Sequence, residues 1–432
     1  MKKVLSLFAL AALVLSACSE DRSTLLKVYN WGDYIEEDLI PEFEEWYKAE
    51  TGEDVTVVYQ TFDINETMLS KIEKGHEDYD VVCPSDYIIE RMLRQDLLLP
   101  IERDFGSTPN YIDGSVSPFI KGLFERVDGG DKDANDYAVG YMWGTTGILY
   151  NTKYVDSEDV KTWNVLMNPK YDGKIFVKDA SRDVFSPILI YLRREELSRG
   201  EVTLDGLMYD SSDKALADVE AYMSGVKDHV AGWEADFGKE QMTQEKGWLN
   251  FTWSGDASWA IEEAAEVGVE LKYAVPEEGS NVWFDGWVIP KYAGNVKAAR
   301  YFINFLCRPD NALRNMDAIG YVSTIGGEEI LSEIEDDSYD PVDLSYFFGE
   351  GAESVCANPA MYFDRSIVEH CAMMHDWGDD SPKLISMWAR VKGDNATPFT
   401  YVVIGITLAG LLFAEVYKRI QAARRRRRYR RR

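Results

Sequence analysis

Three short apolar runs open the folded part of the chain: LLKVYNW (25–31), DVTVVYQTF (54–62) and YDVVCPS (79–85). They are rich in valine and tyrosine, too short for helices and bounded by polar or turn-forming residues, which is the pattern of buried strands. Between the first two lies EEDLIPEFEEWYKAETG (36–52), where Leu39, Phe43, Trp46 and Tyr47 recur at near-helical spacing up to Gly52. That predicts an amphipathic helix closed by a glycine terminator. A second helix is expected after PSDY, with Ile89, Met92 and Leu93 on one side and Ser85 or Asp86 placed to cap it. Strand, helix, strand, helix in this order argues for a mostly parallel sheet with helices on its faces.

Further along, DYAVGYMWGTTGILYN (136–151) reads as one long extended segment, and KIFVKDA, GWLNFTWSG, VELKYAVPEEG and VWFDGWVIP as later strands. Ligands of open α/β sheets sit beyond the carboxyl ends of strands, so the residues closing each run are the candidates. These are Trp31 and Tyr34 in NWGDY, Ser85 and Tyr87 in PSDY, Asp179 and Asp183 in KDASRD, Trp253 and Asp256 in TWSGD, Trp283 and Asp285 in WFDG, and Tyr321 in IGYVS. Aromatic faces attract cations by about 0.5–2 kcal/mol per good contact, and carboxylates form charge-assisted hydrogen bonds with ammonium groups. Such a set suits a flexible organic polycation, with rings over the methylenes and acids at the nitrogens. Each ring alone is equally well a core filler and each acid a cap; agreement among these strand ends favours a common site.

The two ends are different in kind. MKKVLSLFALAALVLSACSE has two lysines, a short apolar run and small residues before a cysteine, the layout of an export signal. Residues 1–17 are expected to be a signal peptide, with LSAC a lipoprotein box, Cys18 the lipidated residue and 18–24 a linker. At the other end an uncharged apolar stretch, Pro398 to Ala414, precedes ten lysines and arginines. That predicts a transmembrane helix over 398–416 and a basic cytoplasmic tail over 417–432, because positive charge is retained inside. Everything between the ends is then expected on the extracytoplasmic face of the cytoplasmic membrane, anchored by lipid and by the helix.

Composition narrows the function. Seventy-five acidic against 46 basic residues give a net charge of −29, which repels nucleic acid and favours cations. With 46% hydrophobic and 13% aromatic residues the chain is not disordered, and about 380 residues between the ends suit two domains. There is no G-x-S-x-G elbow, H-E-x-x-H pair or phosphate-binding loop, so binding without catalysis or cofactor is the simpler account. EHCAMMHD (369–376) invites a soft-metal reading, but His370 and His375 are five apart and do not share a helical face well; a structural helix is expected there and no metal site. Cys83 and Cys307 read as core thiols. Cys356 and Cys371 could pair in an oxidising compartment, which spacing alone leaves open.

YNWGDYI, NETM, YDVVCPSDY, YMWGTTGI, RDVF, WSGD, WFD and INFLCRPDNA follow one another between about Leu25 and Lys392. In that order they resemble the polyamine-binding proteins, spermidine/putrescine type, of bacterial ABC uptake systems. The resemblance implies an α/β, two-lobed periplasmic-binding-protein (type II) fold, each lobe a mixed, mostly parallel sheet flanked by helices. Lobe 1 would comprise 25–143 and 285–320, and lobe 2 144–284 and 321–392, with crossover strands near Tyr141 to Tyr150 and Trp283 to Ile289 as the hinge. It places ligand contacts on Trp31, Tyr34, Ser85, Tyr87, Asp183, Trp253, Asp256, Trp283, Asp285 and Tyr321. Two positions depart from the spermidine-type pattern: Ala180 stands where an acid is expected, with Asp179 one step away, and Asp183 replaces a glutamate. PSDY and WFD look spermidine-like, whereas Asp33 and Asp256 look closer to putrescine binders, so the preferred amine stays open. The implied partners of this chain, taken as a monomer, are a polyamine and an ABC permease with a separate ATPase. A membrane-anchored polyamine sensor without a transport role is the alternative.

Overall fold

The computed structural model describes residues 22–235 and 237–393. The expected signal peptide, the lipidation site Cys18, the spanning segment 398–416 and the basic tail lie outside the described residues. Among the described residues no helix is long and apolar enough to cross a membrane.

The first half of the chain builds β1 (Leu25–Trp31), β2 (Thr56–Phe62), β3 (Val81–Val82), β4 (Leu98–Leu99) and β5 (Ala138–Asn151). β1 pairs in parallel with β2 and with β3. The expected helix between β1 and β2 spans Leu39–Thr51 and buries Leu39, Phe43 and Tyr47; Gly52 ends it at φ 74°, its N–H bonded to the Lys48 carbonyl, a left-handed turn that a side chain would strain. The second half adds β6 (Ile175–Lys178), β7 (Val230–Glu234), β8 (Leu249–Trp253), β9 (Leu271–Ala274), β10 (Ser280–Pro290), β11 (Val322–Ser323), β12 (Pro341–Val342), β13 (Val355–Cys356) and β14 (Cys371–Met373).

β5 and β10 connect the two halves. They run antiparallel to each other over Ala138–Thr145 and Val282–Val288, and each is buried at every position. A strand covered on both faces needs an unbroken apolar run rather than alternation, which is why both were conspicuous in the sequence. One end of β10 adjoins β3, while the far end of β5 pairs with β8 and β9, giving the order β2-β1-β3-β10-β5-β8-β6-β7. Around this sheet lie two main cores. The first gathers Val28, Phe43, Ile89, Phe284 and Phe302; the second gathers Ile148, Trp163, Ile188, Phe251 and Trp388. The result is a two-lobed α/β fold.

Two expectations are corrected, and the cysteine pairing that spacing left open is answered. Residues 321–392 were assigned whole to lobe 2, yet Val322, Ile325, Phe347 and Tyr362 pack into the first core; Ala372, Trp377 and the helix Ser381–Gly393, through Leu384, Met387, Trp388 and Val391, join the second. EHCAMMHD contains no helix over its apolar centre: Cys371–Met373 form β14, parallel to β10 at Ser280–Val282. Cys371 and Met373 enter one core and Ala372 the other, the period-two alternation of a strand, so β14 is a third connection between the lobes. Finally, Cys356 and Cys371 form no bond with each other; both are free thiols, as are Cys83 and Cys307, and the Cys371 thiol donates to the Ile367 carbonyl at 3.4 Å.

Candidate ligand-binding site

Asp285, only 7% exposed, lies where β10 passes from one lobe to the other. Ser85 Oγ donates to its Oδ1 at 2.6 Å and the Tyr34 hydroxyl to its Oδ2 at 2.9 Å. Ser85 does occupy the N-cap of the helix Asp86–Arg94, but its side chain makes no capping bond; the hydroxyl is turned to Asp285 instead. Asn65, at the start of the helix Asn65–Glu73, donates to Ser85 Oγ at 3.0 Å and to the Tyr87 hydroxyl at 3.2 Å, fixing both. Among the described residues no cation pairs with Asp285. Burial therefore pushes its carboxyl up to about 7, against the pull of Ser85 and Tyr34, and nearby Asp183 adds to the rise.

Asp183 belongs to the other lobe. It sits in the first turn of the helix Ser181–Leu192, where the positive end of the helix dipole favours an acid. The Trp253 indole N–H donates to its Oδ1 at 3.0 Å. Burial still raises it to about 6. Tyr321 closes the space between the lobes: its ring is 5.4 Å from that of Tyr34 and 5.7 Å from that of Trp283, and its hydroxyl donates to Asp256 Oδ1 at 2.9 Å. Two glycines permit this packing. A Cβ on Gly255 would collide with the Tyr321 ring, and one on Gly144 would come within 2.7 Å of the Trp283 ring.

Contacts of this kind tie together Tyr34, Ser85, Tyr87, Asp183, Trp253, Asp256, Trp283, Asp285 and Tyr321. Trp31 is not drawn in by any of them; its ring packs 4.5 Å from Phe62. Asp179 faces away from the cluster. It accepts from the Trp388 indole at 2.8 Å and from Lys392 at 2.6 Å, clamping the helix Ser381–Gly393. β6 ends one residue earlier, so Lys178 and not Asp179 points into the interior. Asp256 is in the cluster, but its charge is already met by Lys178, with Lys239 at 3.8 Å. Although burial works to raise Asp256, the two lysines outweigh it and hold the carboxyl below the ordinary range. Trp287, two residues beyond Asp285, is a core ring against Tyr141 at 4.7 Å and Phe302 at 5.7 Å.

Sequence reasoning did not single out Asn65, Lys178 or Arg182, and offered Asp86 only as a helix cap. Asp86 is fully buried and accepts from the Tyr87 N–H at 2.7 Å through one oxygen; burial pushes it well above the usual range, towards the neutral acid. The Arg182 guanidinium stands 4.3 Å from the Trp377 ring and 5.5 Å from that of Tyr87, reaching from one lobe to the other. Two signals were available: a charged residue closing an apolar strand, in IFVK, and a basic residue beside the acid in SRD. Together the cluster offers aromatic faces and two buried acids on opposite lobes, neither paired with a lysine or arginine among the described residues.

The chain is similar to known proteins in sequence and in fold. The chain is 29% identical over 329 residues to the spermidine/putrescine-binding periplasmic protein of Escherichia coli, covering 74% of this chain and 84% of that one. It is also 29% identical over 326 residues to the E. coli putrescine-binding periplasmic protein PotF, covering 73% and 81%. The solved structure of the spermidine/putrescine ABC transporter substrate-binding protein PotD from Streptococcus pneumoniae superposes with a TM-score of 0.63 at 28% identity, covering 86% of this chain and 99% of that one. Residues 41–337 match the family model described as bacterial extracellular solute-binding protein, and the chain belongs to that family.

Proposed function

We propose that the protein captures a linear polyamine between its lobes outside the cytoplasm and delivers it to a membrane permease driven by a separate ATPase, without chemistry of its own. The observation that carries this is Asp285: a buried carboxylate, oriented by Ser85 and Tyr34, unpaired by any cation among the described residues, and facing a second raised acid, Asp183, on the other lobe. An ammonium at each acid would ionise it, while Tyr34, Trp253, Trp283 and Tyr321 cover the intervening methylenes. The spermidine/putrescine-binding relatives support the same ligand class.

The ends of the chain extend the proposal. Acylation at Cys18 and a spanning helix over 398–416 would hold the receptor beside its permease and raise its effective concentration there. Titration calorimetry with putrescine, spermidine and butylamine tests the ligand class, together with mass spectrometry of the small molecule released on denaturation. Tight binding of the di- or triamine and weak binding of butylamine is expected; equal affinity for butylamine would overturn a two-ended site.

A further inference from the structure

Lys178 is a charge where the pattern of β6 asks for an apolar residue. It follows Ile175, Phe176 and Val177 and is 1% exposed. Its ammonium lies 4.2 Å from the centre of the Trp253 ring, pairs with Asp256, and is 3.4 Å from Glu234 Oε1. A ring face together with a carboxylate is the same pair of contacts that this crevice can give a ligand amine. Here both are filled from within. The other oxygen of Asp256 accepts from Tyr321, with Lys239 at 3.8 Å, so neither oxygen is left uncommitted. Asp183 and Asp285 form no ion pair with a lysine or arginine among the described residues.

We propose that Lys178 is a specificity-determining residue: its ammonium takes the place of a third ligand amine, so that the crevice offers two anionic ends and selects a diamine over a triamine. This deepens the polyamine reading above and rests on it. A third ligand ammonium arriving near Asp256 would meet a like charge in place of a free acid, and it would be desolvated without a partner. Selectivity of this kind comes from a repulsive element as much as from attractive contacts.

Calorimetric titration of the full chain with putrescine and with spermidine tests it. The unaltered protein is expected to bind putrescine at least about tenfold more tightly than spermidine. Lys178→Met should raise spermidine affinity relative to putrescine by about tenfold or more, as Asp256 becomes available. Lys178→Arg should keep the original preference, and Lys178→Met with Asp256→Asn should lose the gain. Equal changes for both amines in a Lys178→Met protein of normal circular dichroism would overturn the inference. Competition of the two amines for the unaltered protein, read by native mass spectrometry, needs no variant, and a preference for spermidine there would overturn it equally. If the unaltered protein binds neither amine, the polyamine reading itself fails; if it binds both without favouring putrescine, only the role of Lys178 does.

Discussion

A carboxylate buried without a counter-charge is held near neutrality until a cation arrives, and Asp285 is in that condition. Replacing it by asparagine keeps the shape and removes the proposed partner of a buried ammonium, a change of about 3–5 kcal/mol. Calorimetry with putrescine should show Asp285→Asn weakened accordingly, and unchanged affinity would remove this residue from the site. Titration gives a second test. Asp285 at about 7 and Asp183 at about 6 both lie above the ordinary 3.8. A raised folded-state value means that their contribution to the stability of the ligand-free fold is complete below about pH 4 and is lost as pH rises through 6 and 7. Cation binding requires the ionised forms, so it strengthens across the same window. Putrescine affinity should therefore fall about tenfold per unit below pH 7 and more steeply below 6, and the rise in melting temperature given by saturating putrescine should grow from pH 5 to pH 8. Affinity that is flat over that range would contradict both values. Asp285 was legible in WFDG because it closes a strand beside a ring. The Lys178 and Asp179 pair was not, because alternate strand residues face opposite ways and a one-residue choice of where β6 ends exchanges interior for exterior.

The elements that carry the site are long strands and the helices they feed. β5 and β10 were legible because burial on both faces leaves continuous apolar runs, and the Leu39–Thr51 helix because its spacing and glycine stop agree. β14 was not: three residues are too few to set a period, and the surrounding apolar residues fit a helix as well. Nor does apolar character say which of two cores a segment joins, so 321–368 could not be placed from composition. Gly255 shows how an element shapes the site at a distance from the ligand. It opens the helix Ser254–Glu266 directly against Tyr321, and a methyl group there must displace that ring. Gly255→Ala should cost about 1–3 kcal/mol of stability by overpacking, seen in denaturant unfolding, and should weaken putrescine binding as Tyr321 leaves its place between Tyr34 and Trp283. A destabilised variant with full affinity would show that the Tyr321 ring is not a wall of the site.

Across the whole molecule, the lobes are joined by three buried strands but touch elsewhere through polar groups. Arg126 meets Asp205 at 2.6 Å, with the two side chains 46% and 50% exposed. His375 accepts or donates to Glu90 at 2.8 Å, lies 3.5 Å from Asp205, and stacks on Tyr209 at 3.8 Å. An exposed ion pair of the Arg126–Asp205 kind contributes about 0–1 kcal/mol, too little to hold two lobes together unaided. On the proposed function the ligand adds to closure, its two ammonium groups bridging Asp285 on one side and Asp183 on the other. Small-angle scattering should accordingly show the radius of gyration falling when putrescine is added. Arg126→Ala should retain that compaction and lose no more than about fivefold in affinity, whereas Asp285→Asn should abolish it at the same ligand concentration. Compaction that survives in Asp285→Asn but disappears in Arg126→Ala would assign closure to the surface contacts and take it away from the bound amine.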